Sequence, residues 1–180
     1  MQVEVKPYDP VWRQWFQTIA TLLATHLDGI HCLIEHIGST SVEGLAAKPI
    51  IDIDILLEDT ADFDTVKSRL MALGYEYKGN LGLNGREMFK DALAVYPHNL
   101  YVCDPDALAV KNHLAFKDYL KTHPESVEAY GALKKDLAKR HPGDVDAYCE
   151  AKSEFIGSIL KRCRFDAGEL HRIKEANKRN

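Results

Sequence analysis

The sequence lacks the patterns that mark several large classes of protein. No apolar run in its 180 residues approaches the roughly 18 residues that cross a bilayer, so no membrane span is predicted. The N-terminus has no basic start followed by an apolar stretch, so we expect no signal peptide and a cytoplasmic location. The four cysteines form no CxxC pair, which disfavours a zinc site and predicts reduced thiols. The GxGxxG and GxxxxGKS/T motifs are also absent, so neither a Rossmann nor a P-loop nucleotide site is predicted.

An excess of basic charge is also missing. The chain has 23 Lys and Arg against 27 Asp and Glu, a formal net charge of −4. A net acidic chain suits the phosphate backbone of nucleic acids poorly, so a nucleic-acid enzyme or binder is disfavoured, although a local basic cleft is compatible with this balance. Basic residues concentrate after residue 160, and we interpret that tail as the solvated face of a final helix.

Hydrophobic periodicity divides the chain into an α/β part over residues 1–104 and a helical part over 105–180. A first helix is predicted from about Pro10 to Leu27. Further helices are predicted over residues 62–73, 107–122, 125–140, 145–162 and 168–178, and strands over 31–37, 50–57, 75–78, 88–96 and 99–103. These elements predict an α/β (α+β) fold, in which a mixed β-sheet has flanking helices and a C-terminal helical cap packs on it as part of one structural unit.

The segment around Gly38-Ser39 has the features of an anion site. Gly38 allows a sharp turn and a close backbone approach. Thr40 and Glu43 have the spacing of a capping box, which predicts a short helix from Ser41 whose first amides would favour a phosphate. The alternative is an ordinary strand-to-helix turn, and Glu43 itself would then occupy the positive end of the helix.

The second feature is Asp52-x-Asp54, which lies inside an apolar run. Residues two apart on a strand share a face, so both carboxylates point the same way. Two adjacent carboxylates repel one another, and a magnesium ion that also binds substrate phosphates would relieve the repulsion. The alternative is a pair of aspartates on a solvated sheet face. The surrounding isoleucines and leucines are more typical of a central strand than of an edge strand.

Three lysines are candidate phosphate ligands. Lys48 precedes the strand of Asp52, where it would hold a phosphate or offset the end of a short helix. Lys152 falls inside the apolar stripe of the predicted helix 145–162, and Lys134 flanks the stripe of helix 125–140. Each of these two either reaches water along a packed stem or points into a cleft between cap and sheet.

Together these motifs resemble a known family. The order strand, Gly-Ser, helix and Asp-x-Asp is similar to that of the nucleotidyltransferase superfamily. The segment EHIGSTSVEGLAAKPIIDI, residues 35–53, resembles the GrpB family more closely. Later motifs agree in order, namely His98-x-Leu-x-Val, His113-Leu-x-Phe-x-Asp-Tyr-Leu and Tyr148-x-x-x-Lys152, and the resemblance covers residues 3–160.

The resemblance implies a nucleotidyltransferase-like fold in which Gly38, Ser39, Lys48, Asp52 and Asp54 match the active-site pattern. Asp52 and Asp54 would be the catalytic magnesium ligands, and the glycine, serine and lysine would contact phosphates. The implied partners are a nucleoside triphosphate and an acceptor that the sequence does not identify.

The sequence departs from the superfamily pattern at the third carboxylate. Active members present one from a later strand, but the matching strand here has His98 and no acid before Asp104. We expect His98 or Asp91 to take that place, although neutral imidazole is a poor magnesium ligand. Arg86 follows a glycine-rich turn and either meets substrate or lies on the surface. Magnesium-dependent nucleotidyl transfer and a catalytically inactive nucleotide-binding or protein-assisting role are therefore both compatible with the sequence.

Overall fold

The computed structural model describes residues 4–91 and 96–177. Residues 92–95 of the predicted strand 88–96 and the basic end of the tail from Lys178 lie outside the described residues. The side chain of Asp91, a candidate third carboxylate, also lies outside what is described.

Two α-helices and all five strands lie before residue 104, and five α-helices follow in the described residues. The helices are α1 (Val11–His26), α2 (Phe63–Ala72), α3 (Leu108–Thr122), α4 (Pro124–Arg140), α5 (Val145–Ala151), α6 (Ser153–Arg162) and α7 (Ala167–Asn177). The strands are β1 (Cys32–Ile37), β2 (Ile51–Leu57), β3 (Tyr75–Gly79), β4 (Arg86–Asp91) and β5 (His98–Cys103). Most predicted elements are confirmed, with bounds that differ by one or two residues.

The five strands form one mixed sheet in the order β1-β2-β5-β4-β3. β2 pairs in parallel with β5, and the other three pairings are antiparallel. The aspartate-bearing strand β2 has a neighbour on each side, so the prediction of a central strand is confirmed. The mixed sheet with flanking helices also confirms the predicted fold class.

One face of the sheet forms the main hydrophobic core. Ile51, Ile53 and Ile55 alternate along β2 and are fully buried against Trp12 and Leu23 of α1, among others. Burying an aliphatic side chain of this size contributes roughly 1.5–3 kcal/mol, so this face holds the strand in register. The intervening residues Asp52 and Asp54 must therefore point to the opposite face.

The helices that follow β5 cover this opposite face. Leu56 and Cys103 pack there against Val110 of α3. Val42 and Leu45, from the loop before β2, pack in a cluster with Leu120, Tyr130 and Ile159. The two parts of the chain thus share buried side chains, while their description as a core and a cap within one structural unit stays a prediction.

Two helix predictions are wrong in an informative way. No helix begins at Ser41: a 3-10 turn spans Ser39–Ser41 and Val42 is extended. The Thr40 hydroxyl does not cap a helix. It lies 3.0 Å from Nε2 of His36 and donates to the carbonyl of Ile50, the residue before β2. The helix predicted over residues 145–162 is interrupted at Lys152, which separates α5 from α6.

Over residues 4–91 and 96–177, none of the helices combines the length and apolar character needed to cross a membrane.

Candidate active site between the sheet and the helical cap

The candidate site is a cavity of about 440 Å³ between the polar face of the sheet and helices α3–α6. Four residues that the sequence suggested for the site line it from the sheet side, namely Gly38, Ser39, Lys48 and Asp52. Lys134 and Lys152, among other residues, line it from the cap. A second cavity of about 780 Å³ is larger, but neither Asp52 nor Asp54 lines it. We therefore take the smaller cavity as the candidate active site.

Gly38 and Asp52 are in close contact at the floor of this cavity. Gly38 has φ +69° and ψ −170°, a conformation essentially reserved for glycine. A Cβ at this position would overlap Oδ2 of Asp52. The glycine is thus required both by the backbone angle and by the position of the carboxylate.

Asp52 is held on its other side by a neutral neighbour. The Asn99 side-chain amide donates to Oδ1 of Asp52 at 2.8 Å. Burial raises the pKa of Asp52, whereas the Asn99 hydrogen bond and the charges of His113, Lys48 and Lys152 act in the opposite direction. The ionised form of Asp52 therefore depends on groups that surround the cavity.

Asp54 has different surroundings, although it shares a face with Asp52. It is fully buried, and its Oδ2 lies 2.8 Å from Nδ1 of His113 on α3. Its Oδ1 is buried without a hydrogen bond from the described residues. Asp54 is absent from the cavity lining, so Asp52 is the carboxylate of the pair that faces the cavity.

Three lysines approach the cavity from separate segments of the chain. Lys48 and Lys152 lie over the ring of Tyr148, with their Nζ atoms 5.6 and 4.6 Å from its centroid. Nζ of Lys134 lies 4.5 Å from the centroid of the Tyr130 ring. The structure thus brings together the three lysines that the sequence suggested as phosphate ligands.

Burial changes the acid–base properties of the two lysines from the cap. Lys134 is 2% exposed, and burial, followed by the charge of Lys152, lowers its pKa well below the usual value. Burial also lowers the pKa of Lys152, and Lys48 adds to the effect. The cavity therefore gathers three lysine side chains around one facing carboxylate, Asp52, and disfavours the charged form of the two buried lysines.

His98 does not lie in the site. It is paired in register with Ile51 and so faces the hydrophobic core, where its Nε2 lies 2.7 Å from the Tyr75 hydroxyl. Its Nδ1 lies 2.9 Å from the carbonyl of Tyr96. This placement corrects the expectation that His98 substitutes for the third acid, because strand alternation sends it to the wrong face.

Arg86 is also outside the cavity lining, and it is not a surface residue. Its side chain is 4% exposed and stacks on Tyr101, with Cζ 4.5 Å from the ring centroid. Tyr101 in turn lines the cavity. Arg86 thus supports a wall of the cavity from behind, which corrects both alternatives considered for it.

The position of the third acid is occupied by a neutral residue. The parallel register of β2 and β5 places Asn99 beside Asp52 and Tyr101 beside Asp54. On the other side of β2, Glu35 of β1 is opposite Asp54, but its carboxylate accepts from Nζ of Lys117 at 2.7 Å. Among the described side chains, which do not include that of Asp91, no third carboxylate is therefore available beside Asp52 and Asp54.

Comparison with known proteins places this geometry in a family. The family model described as GrpB protein matches residues 2–162. The chain belongs to the GrpB family. The UPF0157 protein YqkA of Bacillus subtilis is 34% identical over 155 residues, which cover 86% of this chain and 45% of YqkA. The chain thus spans about half the length of that relative.

Solved structures agree with this assignment. The crystal structure of the conserved protein GrpB from Enterococcus faecalis has a TM-score of 0.79 and 37% sequence identity, and the match covers 94% of this chain and 99% of that one. The Cid1 poly(U) polymerase in its Mg 3′-dATP complex has a TM-score of 0.56 at 18% identity, over 83% of this chain and 50% of that one. The GrpB chain therefore has a nucleotidyltransferase-like fold.

Several residues of this GrpB site escaped sequence reasoning. Asn99 follows from the strand register, which a single sequence does not give. His113 and Lys117, which contact the acids of the sheet, are four residues apart and so share one face of a helix. That spacing was a usable signal, but two polar residues on a helix face ordinarily indicate exposure to solvent.

The sequence predicts a magnesium ion, and the donor set fits one ion better than two. Among the described residues no group of three or more His, Cys, Asp or Glu is arranged to hold a metal. The carboxylate of Asp52, which faces the cavity, is an oxygen ligand of the kind magnesium prefers, with water and phosphate completing its shell. Asn99 in place of an acid disfavours a second ion.

Proposed function

We propose that this GrpB chain binds the magnesium complex of a nucleoside triphosphate in the 440 Å³ cavity and transfers its nucleotidyl group to an acceptor. The observation that carries the proposal is the convergence of Lys48, Lys134 and Lys152 on a cavity that also contains Asp52. Such a concentration of cations is costly to maintain unless an anion of high charge binds there. A polyphosphate with its magnesium ion meets that requirement.

The fold supports the same ligand class. The Cid1 poly(U) polymerase, whose structures include MgGTP and Mg 3′-dATP complexes, shares the fold of this chain. At 18–20% identity that likeness concerns the fold alone. The ligand is therefore argued from this chain's own lysines and carboxylates.

The proposal gives each residue a defined task. Gly38 allows the backbone to approach Asp52 and the phosphates, and the Ser39 hydroxyl adds a donor at the same wall. The three lysines hold phosphate oxygens as point charges. Asp52 would hold the magnesium ion, which would supply charge neutralisation at the phosphates. Asp54, the other predicted ligand, is buried outside the cavity lining and would reach the ion only after a rearrangement.

A second candidate function is nucleotide binding without transfer. It is favoured by the neutral Asn99 at the place of the third acid and by the contact of Asp54 with His113. In that case the chain would hold a nucleotide, or assist a partner protein, without chemistry at the α-phosphorus. The two functions share the cavity and differ in turnover.

Transfer of label from an α-³²P nucleoside triphosphate, with release of pyrophosphate, distinguishes them. The full chain is incubated with magnesium and each of the four ribonucleotides, together with a cell extract as the source of acceptor. We expect labelled product with the chain and its loss with Asp52→Asn, while binding of the magnesium nucleotide falls about 10- to 100-fold, as for a lost charged contact.

Asp28→Asn is the matched control, since Asp28 is exposed and remote from the cavity. Binding that requires Asp52 without any labelled product would select the second function. Absence of magnesium-dependent binding of every nucleotide would contradict both.

A further inference from the structure

Lys134 is the most unusual charged side chain of the cavity. It is 2% exposed, and its Nζ has no hydrogen-bond partner among the described residues. An ammonium group has three donors, and a buried one without acceptors is strongly disfavoured relative to the neutral amine. The only cation-directed contact described for it is with the face of the Tyr130 ring.

The groups around Lys134 also disfavour its charge. Lys152, at the α5–α6 junction, and Lys48, before β2, are like charges, and Asp52 on β2 is the opposing charge. The other titratable groups that line the cavity are Tyr101, Tyr130, Tyr148, Cys149, His113 and Lys117. Of the last two, Lys117 is already ion-paired with Glu35, and Nδ1 of His113 lies 2.8 Å from Oδ2 of Asp54.

We propose that Lys134 selects ligands by charge: it is neutral in the absence of an anion and takes up one proton when a polyphosphate enters the cavity. The direction of its pKa, well below that of a free lysine, agrees with this geometry. A bound polyphosphate supplies the acceptors and the negative charge that the amine lacks, and so favours the ammonium form. The inference rests on the proposed function in that it takes the anion to be the polyphosphate of a nucleotide.

Selectivity follows from this coupling. A ligand with one phosphate does not offset the charges of Lys48, Lys152 and a protonated Lys134 together, whereas a triphosphate does. The cavity is therefore expected to discriminate between inorganic tripolyphosphate and orthophosphate, and to do so mainly through Lys134.

The test is isothermal titration calorimetry of the full chain with tripolyphosphate in Tris and in Hepes, whose ionisation enthalpies differ. Their comparison gives the number of protons taken up per bound ligand. The Lys134→Met variant replaces the amine with an apolar group of similar length, and Lys134→Gln serves if that variant does not fold. Proton changes of the ligand and of Lys152 occur in both chains, so the difference between them reports Lys134.

We expect the chain to take up close to one proton more than the variant at pH values above the lowered pKa. The difference should vanish at lower pH, where Lys134 is already protonated. The preference for tripolyphosphate over orthophosphate should fall about tenfold or more in the variant, as for one lost charged contact. Lys135→Met is the matched control, because Lys135 is the adjacent, exposed lysine of α4 and should leave both quantities unchanged.

Equal proton uptake in the chain and in both variants, or no binding of tripolyphosphate, would overturn the inference. Nucleotidyl transfer without this proton difference would leave the proposed function standing and remove only the role of Lys134. Proton-coupled binding of tripolyphosphate without any nucleotidyl transfer would support the role of Lys134 and contradict the proposed transfer.

Discussion

Asp52 and Asp54 lie two residues apart on one strand and have different surroundings. Asp52 faces the cavity, touches the Gly38 backbone and accepts from Asn99. Asp54 is fully buried and contacts His113 through one oxygen. A substitution at Asp52 is therefore expected to act on the ligand, whereas one at Asp54 acts first on the packing of α3 against the sheet.

At the residue scale, Gly38→Ala is expected to destabilise the chain and to displace Asp52. The positive φ of Gly38 and the overlap of a Cβ with the carboxylate both oppose the substitution, at a combined cost of roughly 2–4 kcal/mol. Urea unfolding gives this cost, and titration with a magnesium nucleotide gives the accompanying loss of affinity.

Gly29→Ala is the control for Gly38→Ala. Gly29 also has a positive φ, of +78°, but a Cβ there would meet nothing within 4 Å. The free energy of unfolding of Gly29→Ala should fall by roughly 1–2 kcal/mol, and its affinity for the magnesium nucleotide should be unchanged. Equal losses of stability and affinity in the two variants would show that contact with Asp52 is unimportant.

A second prediction at this scale concerns His36 and pH. Burial, followed by the charges of Lys117, Lys121 and Arg13, lowers the pKa of His36 from 6.5 to about 4. The unfolded chain then binds the proton first on acidification, so this residue lowers stability as the pH falls from 6.5 towards 4. The slope is at most about 1.4 kcal/mol per pH unit.

His36→Gln should remove that part of the slope when urea unfolding is measured between pH 7 and 4.5. The exposed His26 offers the control, since His26→Gln should keep the slope of the original chain. An unchanged slope in His36→Gln would assign the acid sensitivity to other groups.

At the scale of elements, α3 is held to the sheet by two charged contacts of the same register. His113 and Lys117 lie one helical turn apart, and their partners Asp54 and Glu35 are opposite one another on β2 and β1. His113 thus contacts β2, and Lys117 contacts β1. This arrangement fixes the rotation and the position of α3 over the sheet.

Lys117→Met is therefore expected to destabilise the chain by roughly 1–3 kcal/mol, because it leaves Glu35 without its partner in a partly buried place. Lys111→Met is the matched control on the same helix. Lys111 forms an ion pair of equal length, 2.7 Å, but its side chain is 60% exposed. Thermal unfolding should show a larger loss of stability in Lys117→Met than in Lys111→Met. Equal losses in the two variants would show that burial of the Lys117 contact does not matter.

Elements were predictable from the sequence to the extent that local patterns decide them. Strand β2 and helix α1 follow directly from their apolar periodicity. The helix expected at Ser41 failed because the Thr40 hydroxyl turns towards His36 instead of capping. The break at Lys152 was also missed, since the apolar stripe runs through it without interruption.

The site was predictable in part for the same reason. Gly38, Asp52 and the lysines carry residue types and spacings that indicate phosphate chemistry. Asn99, His98 and Arg86 depend on strand register and on long-range packing, which periodicity does not contain. The sequence therefore suggested residues that line the cavity, but it did not predict Asn99 and it misplaced His98 and Arg86.

At the scale of the whole molecule, the sheet and the helical cap are expected to fold together. Val42, Leu45, Leu56 and Cys103 belong to the first part of the chain but are buried by helices of the second. A fragment of residues 4–104 would expose them along with the charged face of the sheet. We predict that it shows no cooperative unfolding transition in urea when followed by circular dichroism.

A chain that ends at residue 162 is the control for the fragment. It keeps α3–α6 and loses the contacts of Phe165 and Ile173 with Leu160. It should stay folded with a stability lower by roughly 2–5 kcal/mol, as for the loss of large buried side chains. A sharp transition in fragment 4–104 would contradict the expectation that the two parts form one structural unit.

The contacts that build the cavity have a consequence for the order of folding. The Asp54–His113 contact joins residues 59 positions apart, and the Lys117–Glu35 contact joins residues 82 apart. Contacts of such separation require the closure of long loops and are characteristic of slow, late steps. Ligand affinity should therefore appear only with the last phase of refolding, so that binding of a polyphosphate would report completed chain topology rather than secondary structure.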